Sequence, residues 1–456
     1  MKKMIILMFL SFHTCFAQSS VQQAVDSLKQ ITDKSELCDK LDALAKGTER
    51  DLDILIDYYY IKDNPKVDSL KQVAILRFPT GRIAFNKTWN VMMTIKPAVE
   101  QENEINDLRH RFDAQHLEVP ISSAAIQFAK EKNTDKAIDY YLQLKENYIK
   151  QTTAGLLVKV LDSNELSKFE KIVQSDINAL KKAPNEGSIY YGFLDVYANL
   201  LIKRGRYKEA LPYSKLAFDN LPKRDELSRN YYYLLSKTGK YSDAIAFLEA
   251  SVRSGFADEE IKAELRIAYA KLHPSKDLSV YMKSLRLDLR AELMDKIRAM
   301  EIKENVVNFN LKDTSDKEVS LSDFQGKIVV IDLWATWCGP CVAALPAMQE
   351  VVEQYRDDQE VAFLFVNTLE KGTKVRERAM DFFKKNNYQM DLYIDEINLA
   401  TNSSDAYDAL GKGGIPRKVV IDRQGKIRFK TAGFSGGRDD LVEELSIMIE
   451  LAKEEI

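Results

Sequence analysis

Histidine is scarce in this chain. The four present, His13, His110, His116 and His273, form no spaced cluster. A single Cys-x-x-Cys occurs, with no second pair and no histidine near it, so a structural zinc site lacks its ligand set. Neither sign of charge is in excess. Lys and Arg number 66 against 69 Asp and Glu, a net charge of −3, and there is no long basic block. Nucleic acid and anionic membrane surfaces are therefore not indicated as partners. Long apolar runs are also missing. The stretch Met4 to Phe12 falls well short of the ~20 residues of a membrane-spanning helix. What remains is ordinary for a soluble protein, 45% hydrophobic and 30% charged over 456 residues. That is enough to bury cores in two or more domains.

The first residues read as an export signal spanning residues 1–17. Met1-Lys2-Lys3 is a basic start, Met4 to Phe12 an apolar core, and Cys15-Phe16-Ala17 ends on small residues where a signal is cut. The expected location is the periplasm or cell envelope. A lipid-anchored form acylated on Cys15 is the alternative, with Phe12-His13-Thr14 a poor lipidation box ahead of it. Export and a dithiol together imply delivered electrons, because disulfides persist outside the cytosol. Cys38 lies in a helical pattern with Leu28, Ile31, Leu41, Leu44 and Ala45, and reads as a buried structural thiol.

Residues 18–118 read as an irregular helical region, broken by a turn at Phe78-Pro79-Thr80-Gly81-Arg82. Residues 119–300 carry a self-match. Tyr197 aligns with Tyr231, Leu200 with Leu234, Lys203 with Lys237, Gly205 with Gly239, Tyr207 with Tyr241 and Ala210 with Ala244. Each pair is 34 positions apart, the tetratricopeptide period of ~34 residues. Stacked helical hairpins are expected, with the Tyr190-Tyr191 and Tyr231-Tyr232-Tyr233 runs filling space between helices. Val306 to Leu311 alternates like a strand entering the next domain.

The densest chemistry is Trp334-Ala335-Thr336-Trp337-Cys338-Gly339-Pro340-Cys341. It follows the apolar run Ile328 to Leu333 and precedes a helical pattern with Leu345, Met348, Val351, Val352 and Tyr355 on one face. A dithiol at a strand-to-helix junction is built for exchange. Cys338 falls where the first helical turn leaves N–H groups unpaired, and these favour the thiolate that attacks a disulfide. Cys341, three residues on, is placed to resolve the mixed disulfide. Asp332 lies six residues before Cys338 on the strand. Pointing beneath the pair, a buried carboxyl with a raised pKa is suited to take the Cys341 proton. The alternative is a surface-facing strand residue, against which Ile331 and Leu333 argue. Val342 after Cys341 excludes the haem-attachment signature.

These residues resemble the thioredoxin superfamily. The segment Val319 to Lys327, the run Trp334 to Cys341 and Gly413-Gly414-Ile415-Pro416 are similar to the TlpA/ResA group of exported thiol–disulfide oxidoreductases. The resemblance covers about residues 304–456 and implies a thioredoxin-like α/β domain there, without cofactor or metal. It implies a cis-proline at Pro416, opposite the cysteines. The Ile415 backbone, Trp337, Gly339 and Pro340 would then form the surface that holds an extended substrate. The expected strand Val361–Val366, helix Val375–Asn386 and strand around Leu392-Tyr393-Ile394 occupy the position of that group's insertion. Two residues depart from the pattern. Asp332 matches thioredoxin better than many TlpA/ResA relatives, and Arg417 stands where a small or hydroxyl residue is usual. Peroxiredoxin-like peroxidases resemble this domain too, but carry Pro and Thr where this chain has Ile331 and Ala335.

The expected fold class is therefore multidomain, an all-α, tetratricopeptide-like N-terminal region followed by an α/β thioredoxin-fold domain. The expected activity is reduction of protein disulfides, fed by an unidentified electron donor such as a membrane thiol–disulfide relay. Gly339-Pro340 favours the reducing side of a scale on which thioredoxin and the strong periplasmic oxidant differ by ~150 mV, or ~7 kcal/mol. An envelope oxidase or isomerase is the alternative enzyme. A helical-repeat scaffold with a redox-sensing or vestigial thioredoxin domain is the alternative without catalysis.

Overall fold

The computed structural model describes residues 15–60, 65–92, 97–181, 187–222, 224–370, 374–397, 403–434 and 437–454. The expected export signal lies outside them, save Cys15–Ala17, which open the helix Cys15–Lys29. No helix among the described residues is long and apolar enough to cross a membrane. The chain divides into two compact units that meet in sequence at Leu234 and Leu235.

The first unit is helical throughout its described residues. Ser163–Leu180 shows why its segments fold as they do. Asp162 caps the helix in a reciprocal box with Glu165, and Leu166, Phe169, Val173, Ile177 and Leu180 repeat at the helical period on the buried face. Several of its buried polar groups are tied to more than one partner. Tyr141 donates to Asp176 at 2.6 Å, and Lys150 pairs with the same carboxylate at 2.5 Å. Glu170, 8% exposed, accepts from Arg204, Arg206 and Tyr197.

Helix spacing follows the sequence period. Helices Tyr207–Asn220 and Tyr241–Arg253 start 34 residues apart, and Gly187–Lys203 and Asp225–Lys237 end 34 apart. Gly205 and Gly239, just past those ends, both have positive φ (70° and 84°), the left-handed helix stop that glycine adopts without strain. Tyr233 is buried and Tyr231 stacks on Phe218 at 4.8 Å.

One expectation for this unit fails. Cys38 is exposed, not a buried structural thiol. Its helix, Lys34–Lys46, buries no residue fully. The side turned toward neighbours is carried by Leu37, Leu41 and Leu44, which pack on the core around Val25 and Tyr58. Cys38 sits one position off that row.

The second unit is numbered here on its own. It begins with helices α1 (Tyr241–Arg253), α2 (Glu259–Leu272) and α3 (Leu278–Ala299), and continues with strands β1 (Glu304–Asn305), β2 (Asn310–Lys312), β3 (Glu318–Ser320) and β4 (Ile328–Trp334). Then come α4 (Gly339–Gln354), β5 (Val361–Asn367), α5 (Val375–Lys385), β6 (Leu392–Ile394), α6 (Asp405–Ala409), β7 (Arg417–Ile421), β8 (Lys426–Ala432) and α7 (Arg438–Lys453). The strand expected over Val306–Leu311 is shorter than its alternation suggested. Only Asn310 and Leu311 join β2, and Val307 is 64% exposed. The reason is topological, since β1 pairs with β8 at one edge of the sheet while β2 pairs with β6 and β3 toward the other. Residues 306–309 pass between two strands and ladder with neither.

The sheet order is β1-β8-β7-β4-β5-β6-β2-β3. Laid flat, the steps from β1 to β2 would separate them by ~29 Å at ~4.8 Å per strand. The chain from Asn305 to Asn310 reaches at most ~18 Å. The sheet therefore curls. Strand β4 is buried along its whole length, parallel to β5 and antiparallel to β7. Its side chains alternate between two cores. Ile328, Val330 and Trp334 face one with α4, α5 and α7, while Val329, Ile331 and Leu333 face the other with Phe309, Leu311 and Ala406.

Helix α3 belongs to this assembly. Ile297 is part of the first core, with Leu293 and Met294 packed against it. Glu443 of α7, 3% exposed, accepts from Arg286 at 2.5 Å and Arg290 at 3.2 Å. Lys262 of α2 reaches Asp439 at 2.7 Å. Three helices that sequence grouped with the preceding repeats thus fall in one compact unit with the sheet.

Candidate active site

The end of β4 delivers the dithiol. Trp334 is fully buried and stacks on Phe383 of α5 at 5.1 Å, which fixes the last strand residue. Thr336 donates its backbone N–H to the buried Glu370 carboxylate at 2.6 Å, and Glu370 is itself held by Asn367 and Arg378. Trp337, 37% exposed, donates its indole N–H to the Leu369 carbonyl at 3.0 Å. The loop after β5 thus grips the loop after β4 at Thr336 and Trp337.

Cys338 is the N-cap of α4. Its φ and ψ of −82° and 101° are extended, and its Sγ accepts the backbone N–H of Cys341 at 3.2 Å. This is the position of a capping oxygen, occupied by sulfur. A sulfur there meets an unpaired helix donor and the positive end of the helix dipole, and both favour negative charge on it. Pro340 sits in the first turn, where its missing N–H costs no helix bond. Cys338 is 5% exposed, Cys341 is fully buried, and the two form a disulfide with Cα atoms 5.2 Å apart. The oxidised member of a dithiol cycle is the state held here.

Opposite the pair, Ile415-Pro416 is a cis peptide, and the Ile415 carbonyl oxygen lies 3.6 Å from Cys338 Sγ. Cys338, Cys341, Ile415 and Pro416 are thus brought to one place, flanked by Trp337, Gly339 and Pro340. Arg417 turns to the loop before it, reaching the Leu410 carbonyl at 3.5 Å and lying over Gly413, where a Cβ would collide with its guanidinium.

Asp332 is 1% exposed, and its position along β4 puts it on the same face as Val330 and Trp334, the face packed by α4. The surface-facing alternative is thereby removed. Burial pushes its carboxyl pKa up, and Lys418 opposes this. Lys418 stands directly across the β4–β7 pairing, is 2% exposed, and donates to Asp332 Oδ1 at 3.3 Å. Oδ2 is buried without a hydrogen-bond partner, as are Trp334 Nε1 and Asn367 Oδ1 nearby on β4 and β5. Sequence reasoning missed Lys418 and Glu370. A signal for the first existed: a lysine followed by Val419-Val420-Ile421 in a strand that a cis-proline introduces needs a buried counter-charge. Glu370 left no such signal, because its partners come from an irregular loop.

Residues 302–430 match the AhpC/TSA family. Among similar proteins, a thiol-disulfide oxidoreductase ResA of Geobacillus thermodenitrificans is 28% identical over 151 residues, covering 33% of this chain and 80% of the relative. A thioredoxin-like protein YneN of Bacillus subtilis is 39% identical over 67 residues, 15% of this chain and 39% of its own. Among solved structures, a thiol:disulfide interchange protein of Chlorobium tepidum aligns at 20% identity and TM-score 0.27, over 33% of this chain and 97% of that one. StoA of Bacillus subtilis aligns at 19% and 0.25, over 30% and 96%. The C-terminal part of this chain is a thioredoxin-fold domain of the AhpC/TSA kind, with ResA thiol-disulfide oxidoreductases among its homologues.

Proposed function

We propose that the protein is a thiol–disulfide oxidoreductase of the cell envelope that reduces protein disulfides through Cys338 and Cys341. The observation that carries this reading is Cys338 Sγ at the N-cap of α4, receiving the Cys341 N–H beside the Ile415 carbonyl. In the reduced protein, the Cys338 thiolate attacks one sulfur of the substrate disulfide and one substrate thiolate leaves. Cys341 then gives up its proton, with Asp332 as acceptor, and attacks Cys338 Sγ. The second substrate thiolate leaves and the pair closes as the disulfide seen here. Trp337, Gly339, Pro340, Ile415 and Pro416 form the surface along which an extended substrate lies. Two electrons per cycle come from an outside donor, for which a membrane thiol–disulfide relay is the fitting class.

The location rests on the residues 1–17 signal and on relatives named ResA. The helices before the sheet are tetratricopeptide-like in spacing and suit the binding of a protein segment, since stacked helical repeats make extended surfaces. Their role is to position the protein substrate, and the dithiol chemistry does not need those of the first unit.

The test is redox equilibration of the full chain with glutathione, followed by thiol labelling. A reductase gives a potential nearer thioredoxin, about −270 mV, than the strong oxidant at about −120 mV. A pair that stays mostly dithiol in an oxidising buffer overturns the reducing direction in favour of an oxidase.

A further inference from the structure

The buried lysine paired with Asp332 takes no part in the thiol–disulfide exchange itself. Lys418 lies on β7 two residues after Pro416, directly across from Asp332. Both side chains are almost wholly inaccessible, at 2% and 1% exposed. A buried charge pair is expensive to desolvate and offers little stability, so its presence in a sheet interior points to another use. The pair is also lopsided. Asp332 Oδ1 takes the Lys418 ammonium, while Oδ2 is buried with no partner on the face that α4 covers.

We propose that Lys418 is a positioning residue of the resolving step, its buried ammonium holding Asp332 as the carboxylate and tying one oxygen so that the other is free for the Cys341 proton. The proposal rests on the dithiol reading above and adds to it the residue that sets the base. The balance is complete within the protein. The Cys341 S–H bond breaks, its proton passes to Asp332 Oδ2, and the sulfur's electron pair forms the bond to Cys338 Sγ. The Cys338–substrate bond breaks and its pair leaves with the substrate thiolate.

Groups facing Asp332 come from each packed element. Strand β7 gives Lys418, α4 gives Cys338 and Cys341, and β5 gives only Phe365, which does not titrate. Helix α7 carries Glu444, which feels the Lys418 charge. Lys418 therefore acts on two carboxyls, and it is the one cation acting on Asp332. Without that cation, desolvation acts on Asp332 unopposed and the carboxylate forms only at higher pH.

Rapid mixing of the reduced full-length protein with an aromatic disulfide that releases a coloured thiolate separates the two steps. The first thiolate reports attack by Cys338 and the second reports resolution by Cys341. In Lys418→Met the acid limb of the second phase moves to higher pH by about one unit or more, while its alkaline plateau stays within about twofold of wild type. Lys418→Arg restores the wild-type limb. A second phase whose pH profile is unchanged in Lys418→Met overturns the proposal. An equal loss of rate at every pH also overturns it, because that is the mark of a merely structural residue. Absence of any first phase in the wild type sinks the dithiol reading instead, so the two failures are distinct. Should Lys418→Met not fold, Lys418→Gln keeps a donor to Asp332 without the charge and must show the same shift. Should neither fold, carboxyl and ammonium NMR on labelled wild-type protein decides. The Asp332 carboxyl must ionise along the acid limb of the second phase, and an Asp332 that stays protonated throughout that range overturns the proposal.

Discussion

The helical unit and the dithiol unit bury polar groups in different ways. In the helical unit Glu170 is surrounded by Arg204, Arg206 and Tyr197, and Asp176 by Tyr141 and Lys150. Its buried polar atoms without a partner, such as His116 Nδ1 and Asp195 Oδ1, are far apart in the chain. In the dithiol unit Asp332 Oδ2, Trp334 Nε1 and Asn367 Oδ1 lie together at the ends of β4 and β5, and Trp334 and Asn367 are partners in the pairing of those strands. A buried polar atom left unpaired costs about 1–3 kcal/mol. The dithiol unit also leaves Tyr281 Oη and Arg376 Nε unpaired elsewhere, so the grouping is confined to the three atoms on β4 and β5. Carboxylates in the first unit hold helices together, and Asp332 in the second has one buried oxygen without a hydrogen bond.

Substitutions that exchange these roles break the comparison if it is wrong. The largest effect is expected at Asp332. Asp332→Asn should slow the resolving phase at neutral pH by about 100-fold, the usual weight of a general base, and leave attack by Cys338 nearly unchanged. Stopped-flow measurement across pH checks this, and an unchanged pH–rate profile removes Asp332 from the mechanism. Glu170→Gln should do the reverse. It should lower the denaturation midpoint by a stability loss of about 1–3 kcal/mol with no change in either phase of the dithiol reaction. Glu443→Gln, which loosens Arg286 and Arg290 from α7, should cost a similar ~1–3 kcal/mol, but within the dithiol unit, and should show whether α3 melts with the sheet.

A smaller effect is expected at Glu444. Burial, with Asp440 beside it, pushes its carboxyl up to about 6, against the Lys418 charge. The folded chain then holds this proton to higher pH than the unfolded chain does. Its contribution to stability is whole below the ordinary glutamate range and falls as pH rises through about 6. Glu444→Gln removes that fall. Relative to wild type it should gain about 1–2 kcal/mol between pH ~4 and ~7. Urea denaturation at several pH values measures the difference. The smallest effect is Cys38→Ser. An exposed thiol on a loosely packed helix should change stability by less than about 0.5 kcal/mol, and the dithiol phases not at all.

The two units were also unequally legible in the sequence. Around the dithiol, local rules agreed with one another. A β-branched run before the cysteines, proline in the first helical turn and the Asp422–Gly425 hairpin all specify their conformation within a few residues. What escaped was long-range. Lys418 lies 86 residues from Asp332, and Glu370 is 34 from Thr336, so only the pairing of β4 with its neighbours brings them together. The failed strand at Val306–Leu311 has the same origin, because alternation cannot say which edge of a curled sheet a segment joins. In the helical region the 34-residue period located Gly205 and Gly239 and the helix starts at Tyr207 and Tyr241. It did not show that α1 to α3 fall within the dithiol unit, since that depends on Ile297, Arg286 and Arg290 meeting α7 and the core beneath it. Cys38 was misread for a related reason. An apolar stripe two residues wide leaves its neighbours undecided, and the packing at Leu37 and Leu41 turned the cysteine outward.

The claim that Cys338 attacks and Cys341 resolves is tested most directly by trapping. Full-length Cys341→Ala and Cys338→Ala proteins are reduced, mixed with envelope proteins bearing disulfides, quenched with acid and read by non-reducing electrophoresis and mass spectrometry. Attack by the sulfur at the N-cap of α4 requires that Cys341→Ala accumulate mixed disulfides through Cys338. The fully buried Cys341 in Cys338→Ala should accumulate none. Equal trapping by both variants, or trapping by Cys341 alone, would contradict it.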